Sequence, residues 1–221
     1  MGVLIKDFLS NKLRPVLKSR GYLKKGNSFL RQNGDIIYII NIQGSSLFSW
    51  NGKETFYINI RILSLEVEDT VGHVCLIKKA SPSTLLFFQV NLRAGEIIRL
   101  ENSFYTISET EKADQCINDI IMIDDRLCQI RSTEDLYPFL FKSSANKCIW
   151  KSTYMRYWAM KGNWDKFDKV FEEEARFCKE NETETILMKE CKSLCLDYGH
   201  KHPDIAERDT RSGLDDEITK C

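Results

Sequence analysis

Directional polar side chains recur with a spacing of two residues on three segments of the chain. They are Asn41 and Gln43; Tyr57, Asn59 and Arg61; and Gln89, Asn91 and Arg93. A spacing of two places side chains on one face of a β-strand, and amide and guanidinium groups form directional hydrogen bonds that suit recognition. The pattern predicts a partner-binding surface. The alternative is that the C-terminal helices cover this row and satisfy it internally.

A second group of polar residues is a basic segment near the N-terminus. Between residues 12 and 25 it carries six cations and no acidic residue, namely Lys12, Arg14, Lys18, Arg20, Lys24 and Lys25. Such a segment could contact phosphate groups. The alternative is the solvent-facing side of an ordinary amphipathic helix.

The sequence offers little for catalysis or metal binding. It has three histidines and lacks a glycine-rich phosphate loop, a nucleophile elbow and a His-Glu-x-x-His motif. Asp124 and Asp125 have no base partner at a suitable spacing, which predicts a solvated acidic face. An enzyme acting on an anionic substrate would need Arg61 and Arg93 as charge clamps, with no obvious base. We therefore expect no enzyme and no cofactor.

Two cysteines and two histidines near the C-terminus could in principle gather around zinc. Cys191 and Cys195 are four residues apart on one helix face, and His200 and His202 follow them. The cysteine pair lacks the spacing of a structural zinc site. We therefore predict helix packing here, and no metal site.

The apolar pattern identifies the elements that must position these side chains. Apolar residues at helical spacing from Ile5 to Leu17 predict an amphipathic helix, with a kink or break at Pro15. Alternating segments predict strands at 28–31, 35–43, 55–63, 74–78 and 85–93, with one or two hairpin arms in 97–107. Asn33-Gly34 and Asn51-Gly52 predict tight turns. Each long strand also carries a wholly apolar row, which must face the helix.

The predicted fold class is α+β: an N-terminal helix packed on an antiparallel β-sheet, followed by a C-terminal α-helical region. We predict an α+β sheet domain at 1–107, a helical region packed on it at 108–198, and a flexible charged tail at 199–221. Within the helical region, the pattern predicts helices at 148–161, 164–180 and 183–198.

Charge and cysteine usage limit the choice of environment. The formal net charge is zero, but residues 1–107 hold 14 Lys and Arg against 8 Asp and Glu, so this part carries +6 and the remainder −6. The first residues do not resemble a secretory signal, and no apolar stretch is long enough to span a membrane. The eight cysteines include no Cys-x-x-Cys pair, which indicates buried thiols in a reducing compartment. We expect a cytoplasmic protein that does not bind membranes.

Several motifs also resemble a known family. The turn Gly-Tyr-Leu-Lys-Lys, the strand ending Asn-Ile-Gln-Gly-Ser and the strand Phe-Tyr-Ile-Asn-Ile resemble a bacterial family of domains of unknown function. Its members carry a Gly-Phe-Lys-Lys-like turn and an Asn-x-Gln-x-Ser strand end. The resemblance covers roughly residues 5–107, and it implies this fold without implying a reaction.

These observations lead to one expected function and one alternative. We expect a non-enzymatic interaction protein, such as an immunity or antitoxin-like protein that binds and neutralises a bacterial toxin, because small domains of this kind are similar to immunity proteins in size and simplicity. Its partner would be another bacterial protein, such as a toxin domain. The alternative is a module that binds nucleic acid or another phosphate ligand through the basic segment.

Overall fold

The computed structural model describes residues 2–46, 51–72, 89–98, 104–108, 113–140 and 147–202. The chain divides into two compact units, Met1–Tyr157 and Trp158–Cys221. Among the described residues, no helix combines the length and the apolar character that crossing a membrane requires. The predicted strand at 74–78 and the first residues of the predicted strand 85–93 lie outside the described residues.

The first unit begins with a helix that accommodates Pro15 without breaking. Helix α1 (Val3–Asp7) continues through a π-helical turn (Phe8–Leu13) into helix α2 (Arg14–Ser19). We attribute the π turn to Pro15. A proline ring inside an α-helix clashes with the backbone carbonyl four residues earlier, and a wider turn relieves that clash. The apolar stripe of this helix is fully buried and comprises Ile5, Phe8, Leu9, Leu13 and Leu17.

The helix packs on an antiparallel sheet that, within the described ranges, has six strands. The strands are β1 (Leu23–Lys25), β2 (Ser28–Asn33), β3 (Ile36–Ser45), β4 (Glu54–Ser64), β5 (Val90–Arg93) and β6 (Tyr105–Ile107). Their order is β1-β2-β3-β4-β5, and β6 also pairs with β4. One half of β4, Glu54–Phe56, pairs with β6, and the other half, Asn59–Ile62, pairs with β5. Every one of these pairings is antiparallel.

The turn between β2 and β3 is displaced by one residue from the predicted position. Asn33 pairs with Ile36, so Gly34 and Asp35 are the two turn residues. Gly34 has φ 57° and Asp35 does not have a positive φ. This pattern matches a type II′ turn, which needs positive φ at its first central residue only. At the second predicted turn, Asn51 and Gly52 both have positive φ.

Strand periodicity separates the two faces of the sheet as the sequence indicates. One face is apolar and buried, and it comprises Tyr38, Ile40, Ile42, Phe56, Ile58, Ile60, Ile62, Val90 and Leu92. Phe8 of the N-terminal helix contacts Phe56 on this face, with ring centroids 5.7 Å apart. The helix therefore covers the apolar row, and the predicted α+β fold class is confirmed.

The remaining described elements are helical. In the first unit they are α3 (Leu65–Thr70), α4 (Ala94–Ile97), α5 (Ala113–Leu127) and α6 (Thr133–Leu140). Helix α7 (Lys147–Lys161) begins in the first unit, and its last four residues belong to the second. Ile97 lies in α4, so the predicted hairpin arms in 97–107 reduce, among the described residues, to β6. The second unit contains α8 (Trp164–Glu180) and α9 (Ile186–Asp197).

Candidate binding surface on the sheet

The second face of the sheet brings most of the predicted partner-binding residues together. Asn59 in β4 lies directly opposite Asn41 in β3 and Arg93 in β5. Gln43 lies opposite Tyr57 by the same register. We call this surface the polar patch; its members are Asn41, Gln43, Tyr57, Asn59, Arg61, Asn91 and Arg93.

The amides of the polar patch form a continuous hydrogen-bonded chain across three strands. Asn59 Nδ2 donates to Asn41 Oδ1 at 3.2 Å and to Gln43 Oε1 at 3.0 Å. Asn41 Nδ2 in turn donates to Ser28 Oγ at 2.9 Å in β2. These bonds orient the side-chain amides of Asn41, Gln43 and Asn59 relative to one another before any ligand binds.

Two arginines lie beside these amides. Arg61 lies opposite Asn91 and Arg93 lies opposite Asn59, which makes the arginines diagonal neighbours on one face. The Arg93 guanidinium lies 4.6 Å from the centroid of the Tyr57 ring, in a cation–π contact. Burial and the positive charge of Arg93 lower the pKa of Arg61. The positive charge of Arg93 therefore disfavours the charged form of Arg61.

Gln89 is the one member of the predicted surface that lies apart from the patch. It is only 2% exposed. Its Nε2 donates to Glu68 Oε1 at 2.9 Å and to the Ser64 carbonyl at 3.1 Å. Its Oε1 accepts from Ser64 N at 2.9 Å and from Tyr154 OH at 3.1 Å. These bonds use Gln89 to join β4, α3 and α7, so this side chain is not available to a partner.

The part of this face nearest Gln89 is apolar and covered. Ile37, Ile39 and Leu63 are buried, and the partly buried Leu30 and Leu65 pack against them. At the other end Gln43 is exposed, and Asn41 and Tyr57 are partly exposed. Internal satisfaction therefore applies to one part of the row, and partner binding stays a prediction for the rest. One end is satisfied internally within the first unit, and the other end is accessible.

The basic segment is only partly free for a phosphate ligand. Lys12, Arg14, Lys18 and Lys25 are exposed and Lys24 is partly exposed. Arg20 differs, because its Nη1 binds Asp124 Oδ2 at 2.6 Å and Asp125 Oδ1 at 2.7 Å. Two carboxylates of the chain itself therefore engage Arg20, which makes it less available to a phosphate ligand.

The prediction that Asp124 belongs to a solvated acidic face was wrong. Its carboxylate is fully buried. Besides Arg20, it binds Tyr22 OH at 2.7 Å and Arg31 Nη2 at 2.9 Å. Burial and the Asp124 carboxylate raise the pKa of Tyr22, so this hydroxyl stays protonated and donates. No local pattern signals this cluster, because its members are about a hundred residues apart in sequence.

His200 and His202 pack against helix α8. His200 stacks on Trp164 with centroids 4.0 Å apart, and its Nε2 lies 2.7 Å from Asp168 Oδ1. His202 contacts Phe171 at 4.2 Å between ring centroids. Cys191 and Cys195 are buried. Within the described part of the chain, no three His, Cys, Asp or Glu residues are grouped so that they could hold a metal ion. The predicted tail begins at Gly199, so both histidines fall within its first four residues. Residues 203–221 lie outside the described residues.

The fold and the patch together define an α+β protein with one helix-covered sheet face and one partly open polar face. The chain belongs to the family described as Domain of unknown function (DUF4304), which it matches over residues 13–131. This confirms the expected membership in a family of unknown function, over a range that includes all of the polar patch. No curated protein and no solved structure matches the chain.

Proposed function

We propose that this chain is a non-enzymatic binding protein that recognises another protein through the polar patch. The observation that supports the proposal is the strand register. It aligns Asn41, Asn59 and Arg93 side by side across three strands, with Tyr57 and Gln43 in the next row. Amide, phenol and guanidinium groups that are oriented before binding lose little conformational entropy when a partner binds.

The chemistry of the patch favours binding over catalysis. Its members are amides, two guanidinium groups and one phenol, and none of these groups is a ready general base near neutral pH. Tyr and Arg, by contrast, are residue types enriched in the energetically dominant part of protein interfaces. The proposal therefore assigns the patch to recognition.

An immunity or antitoxin-like role in the cytoplasm is the specific form of this function that we propose. In that form the patch covers the working surface of a toxin domain and blocks it. Such a partner would bind with one-to-one stoichiometry, and loss of the patch would restore the partner's activity.

The test compares the wild-type chain with two variants as affinity baits in cell extract at about 0.15 M salt. The patch variant carries Gln43→Ala and Tyr57→Ala, and the control variant carries Lys12→Ala and Lys18→Ala on the exposed side of the helix. A protein captured by the wild type is then purified and titrated against all three chains. We expect the patch variant to bind at least about tenfold more weakly and the control to match the wild type. Equal affinity for the patch variant would refute the proposal.

Nucleic-acid or phosphate binding is the second candidate, and the exposure of Lys12, Arg14, Lys18 and Lys25 favours it. Phosphate contacts release counterions, so the affinity would fall steeply with salt concentration. The Lys12→Ala and Lys18→Ala control above then becomes the informative variant. If that chain loses salt-sensitive RNA or DNA binding that the patch variant retains, this second function is correct.

A further inference from the structure

Cys128 is a partly exposed thiol that directly follows helix α5 and contacts a guanidinium group. Arg31 Nη2 lies 2.9 Å from Cys128 Sγ. A positive charge beside a thiol favours the thiolate, and the thiolate is the form that reacts with electrophiles and oxidants. Partial exposure gives a small oxidant access to the residue. The side chain therefore combines the two properties that make a cysteine reactive.

Cys178 is the natural comparison within the same chain. Among the cysteines whose side chains the structure describes, it is the other partly exposed one, and Cys116, Cys191 and Cys195 are buried. The Sγ of Cys178 contacts the neutral hydroxyl of Thr185 at 3.8 Å. The two partly exposed thiols thus differ in whether a cation lies beside the sulfur.

Arg31 also places a donor without an acceptor beside the Cys128 sulfur. Its Nη1 and Nη2 bind the Asp124 carboxylate, at 3.4 Å to Oδ2 and 2.9 Å to Oδ1. Its Nε is buried and forms no hydrogen bond with any residue that the structure describes. In a guanidinium group, Nε and Nη2 share one edge and can bind two acceptor atoms in parallel. The sulfur contacts the Nη2 end of that edge, and the Nε end lacks an acceptor.

We propose that Cys128 is a redox-modification site, at which hydrogen peroxide or an organic hydroperoxide converts the thiol into a sulfenic acid. The thiolate sulfur attacks one peroxide oxygen and forms the S–O bond while the O–O bond breaks. The second oxygen leaves as hydroxide or alkoxide and takes up the proton that the thiol has lost. The sulfur is oxidised by two electrons, and the peroxide is reduced by two. This inference does not depend on the proposed function of the polar patch.

Arg31 acts both before and after this step. Its positive charge stabilises the thiolate that attacks the peroxide. After the step, the sulfur and its new oxygen form a two-atom acceptor for Nη2 and Nε, which gives the buried Nε a partner. The oxygen enters on the sulfur, and the sulfur already contacts this edge of the guanidinium.

The carboxylate near the sulfur is itself neutralised. Asp124 Oδ1 lies 3.9 Å from Cys128 Sγ, and a carboxylate opposes the thiolate. Arg20 and Arg31 both form ion pairs with this carboxylate, so its charge is compensated. Burial lowers the pKa of Arg31, but its neighbours, first Tyr22 and then Cys128, raise it above the ordinary value. Arg31 therefore stays charged beside the sulfur.

The test treats the intact chain with hydrogen peroxide in the presence of dimedone, which traps sulfenic acids. Mass spectrometry of the peptides then gives the labelling rate at each cysteine. We expect Cys128 to be labelled at least about tenfold faster than Cys178. The buried Cys116 should stay unlabelled, which reports an intact fold. Equal labelling rates at Cys128 and Cys178 in the folded chain would overturn the proposal.

Two substitutions of Arg31 separate its charge from its planar shape. Arg31→Gln removes the charge, so the labelling rate at Cys128 should fall towards that of Cys178. Arg31→Lys keeps a charge, so Cys128 should remain the faster site even if Arg31→Gln loosens the fold and exposes Cys116. An unchanged rate ratio in folded Arg31→Gln, or loss of the preference in Arg31→Lys, contradicts the role of the charge.

The melting temperature of the oxidised chain tests the role of Nε. Oxidation without dimedone should raise the melting temperature of the wild type, because the sulfenic oxygen supplies the missing acceptor. The rise should be absent in Arg31→Lys, which lacks the second donor, and in Cys128→Ala, which controls for oxidation at other residues. A lower melting temperature of the oxidised wild type, with Cys128→Ala unaffected, would show that the oxygen does not bind Nε.

Discussion

Asp124 has a fully buried carboxylate that binds one tyrosine and two arginines. Replacing it by asparagine removes the negative charge and leaves Arg31 partly buried next to a neutral group. Breaking a buried ion pair from one side typically costs about 3–5 kcal/mol. We expect Asp124→Asn to lower the free energy of unfolding by roughly that amount, measured by urea denaturation.

Asp125 is the matched control for this substitution. Its side chain is 60% exposed, and it binds the same Arg20 at 2.7 Å. Exposed ion pairs contribute at most about 1 kcal/mol, so Asp125→Asn should leave the urea midpoint nearly unchanged. Similar losses for the two variants would show that burial does not set the strength of this cluster.

The thiols of the second unit should differ in reactivity. Burial raises the pKa of Cys191 to about 12 and, together with Asp168, raises the pKa of Cys195 to about 11. Cys178 in α8 is only partly buried. Because the thiolate is the reactive form, we expect iodoacetamide at pH 8 to modify Cys178 at least about tenfold faster than Cys191 or Cys195. Peptide mapping by mass spectrometry measures each rate, and the urea-unfolded chain should show equal rates. Rapid modification of Cys191 in the folded chain would contradict this prediction.

At the level of single residues, strand periodicity predicts which side chains share a face of the sheet. It does not predict contacts between residues that are far apart in the sequence. Asn41, Asn59 and Arg93 share a face because strands alternate with period two. Gln89 continues the two-residue spacing of Asn91 and Arg93, but it precedes β5 and forms hydrogen bonds with α3 and α7. Strand periodicity cannot predict those bonds. Asp124 was misassigned for the same reason, since its arginine partners lie in the first 31 residues.

Helix α1 begins against a carboxylate from the sheet. Glu54 Oε2 accepts from Ile5 N at 2.9 Å and Oε1 accepts from Leu4 N at 3.2 Å. A Cβ at Gly2 would lie 1.8 Å from Glu54 Oε1. Glycine at this position therefore leaves the space in which the carboxylate satisfies the free N–H groups of the helix end.

We expect Glu54→Ala and Gly2→Ala each to lower the free energy of unfolding by about 1 kcal/mol. Both remove the same interaction, so the double variant should cost little more than either single variant. Urea denaturation of the four chains completes the cycle. Additive losses would mean that Gly2 does not act through Glu54.

Helix α6 starts with a capping arrangement that should make its stability depend on pH. Asp135 Oδ2 accepts from Arg131 N at 2.9 Å and from Ser132 N at 3.0 Å. The Arg131 N–H and the Ser132 hydroxyl lower the pKa of Asp135. A carboxyl with a lowered folded pKa contributes stability above its unfolded pKa of about 4 and loses it as the pH falls through the folded value.

Asp135→Asn tests this dependence, because asparagine does not titrate. The wild type should be the more stable chain at pH 6, and the difference in urea midpoint should shrink as the pH falls towards about 3. Ser132→Ala, which removes the hydroxyl, serves as the comparison, since its cost should persist at pH values where Asp135 is charged. A difference that stays constant down to pH 3 would rule out the titration of Asp135 as its source.

The elements themselves were largely predictable, and their details less so. The helix boundaries at 164–180 agree with α8, and the long strands fall where alternation places them. The β2–β3 turn moved by one residue because Gly34 takes the first turn position rather than the second. The π turn before Pro15 could not be predicted, because a proline in a helix can be accommodated by a kink, a break or a wider turn.

At the scale of the whole molecule, basic residues from the positive half of the sequence form ion pairs with acidic residues from the negative half, within the first unit. Arg20 and Arg31 come from the positive half, and Asp124 and Asp125 come from the negative half. This contact connects β2 and the end of α2 to helix α5. Charge asymmetry in the sequence therefore contributes to folding, without requiring an external partner of opposite charge.

Residues that follow the family match still contact the buried part of the first unit. The match stops at residue 131, yet Thr133 Oγ1 lies 2.7 Å from Ser64 Oγ, and Tyr154 OH bonds with Gln89. All four side chains are buried. A chain that stops at residue 131 would leave the buried groups of Ser64 and Gln89 with fewer partners, at roughly 1–3 kcal/mol for each unsatisfied group.

We therefore expect a chain of residues 1–131 to be less stable than a chain of residues 1–161 by at least about 3 kcal/mol, because only the longer chain keeps α6 and α7. Urea denaturation followed by circular dichroism measures the difference. Tyr154→Phe in the longer chain isolates one of the lost hydrogen bonds and should reproduce only part of the effect. Equal urea midpoints for the two chains would show that the family range folds without α6 and α7, and that the contacts of Thr133 and Tyr154 add nothing to its stability.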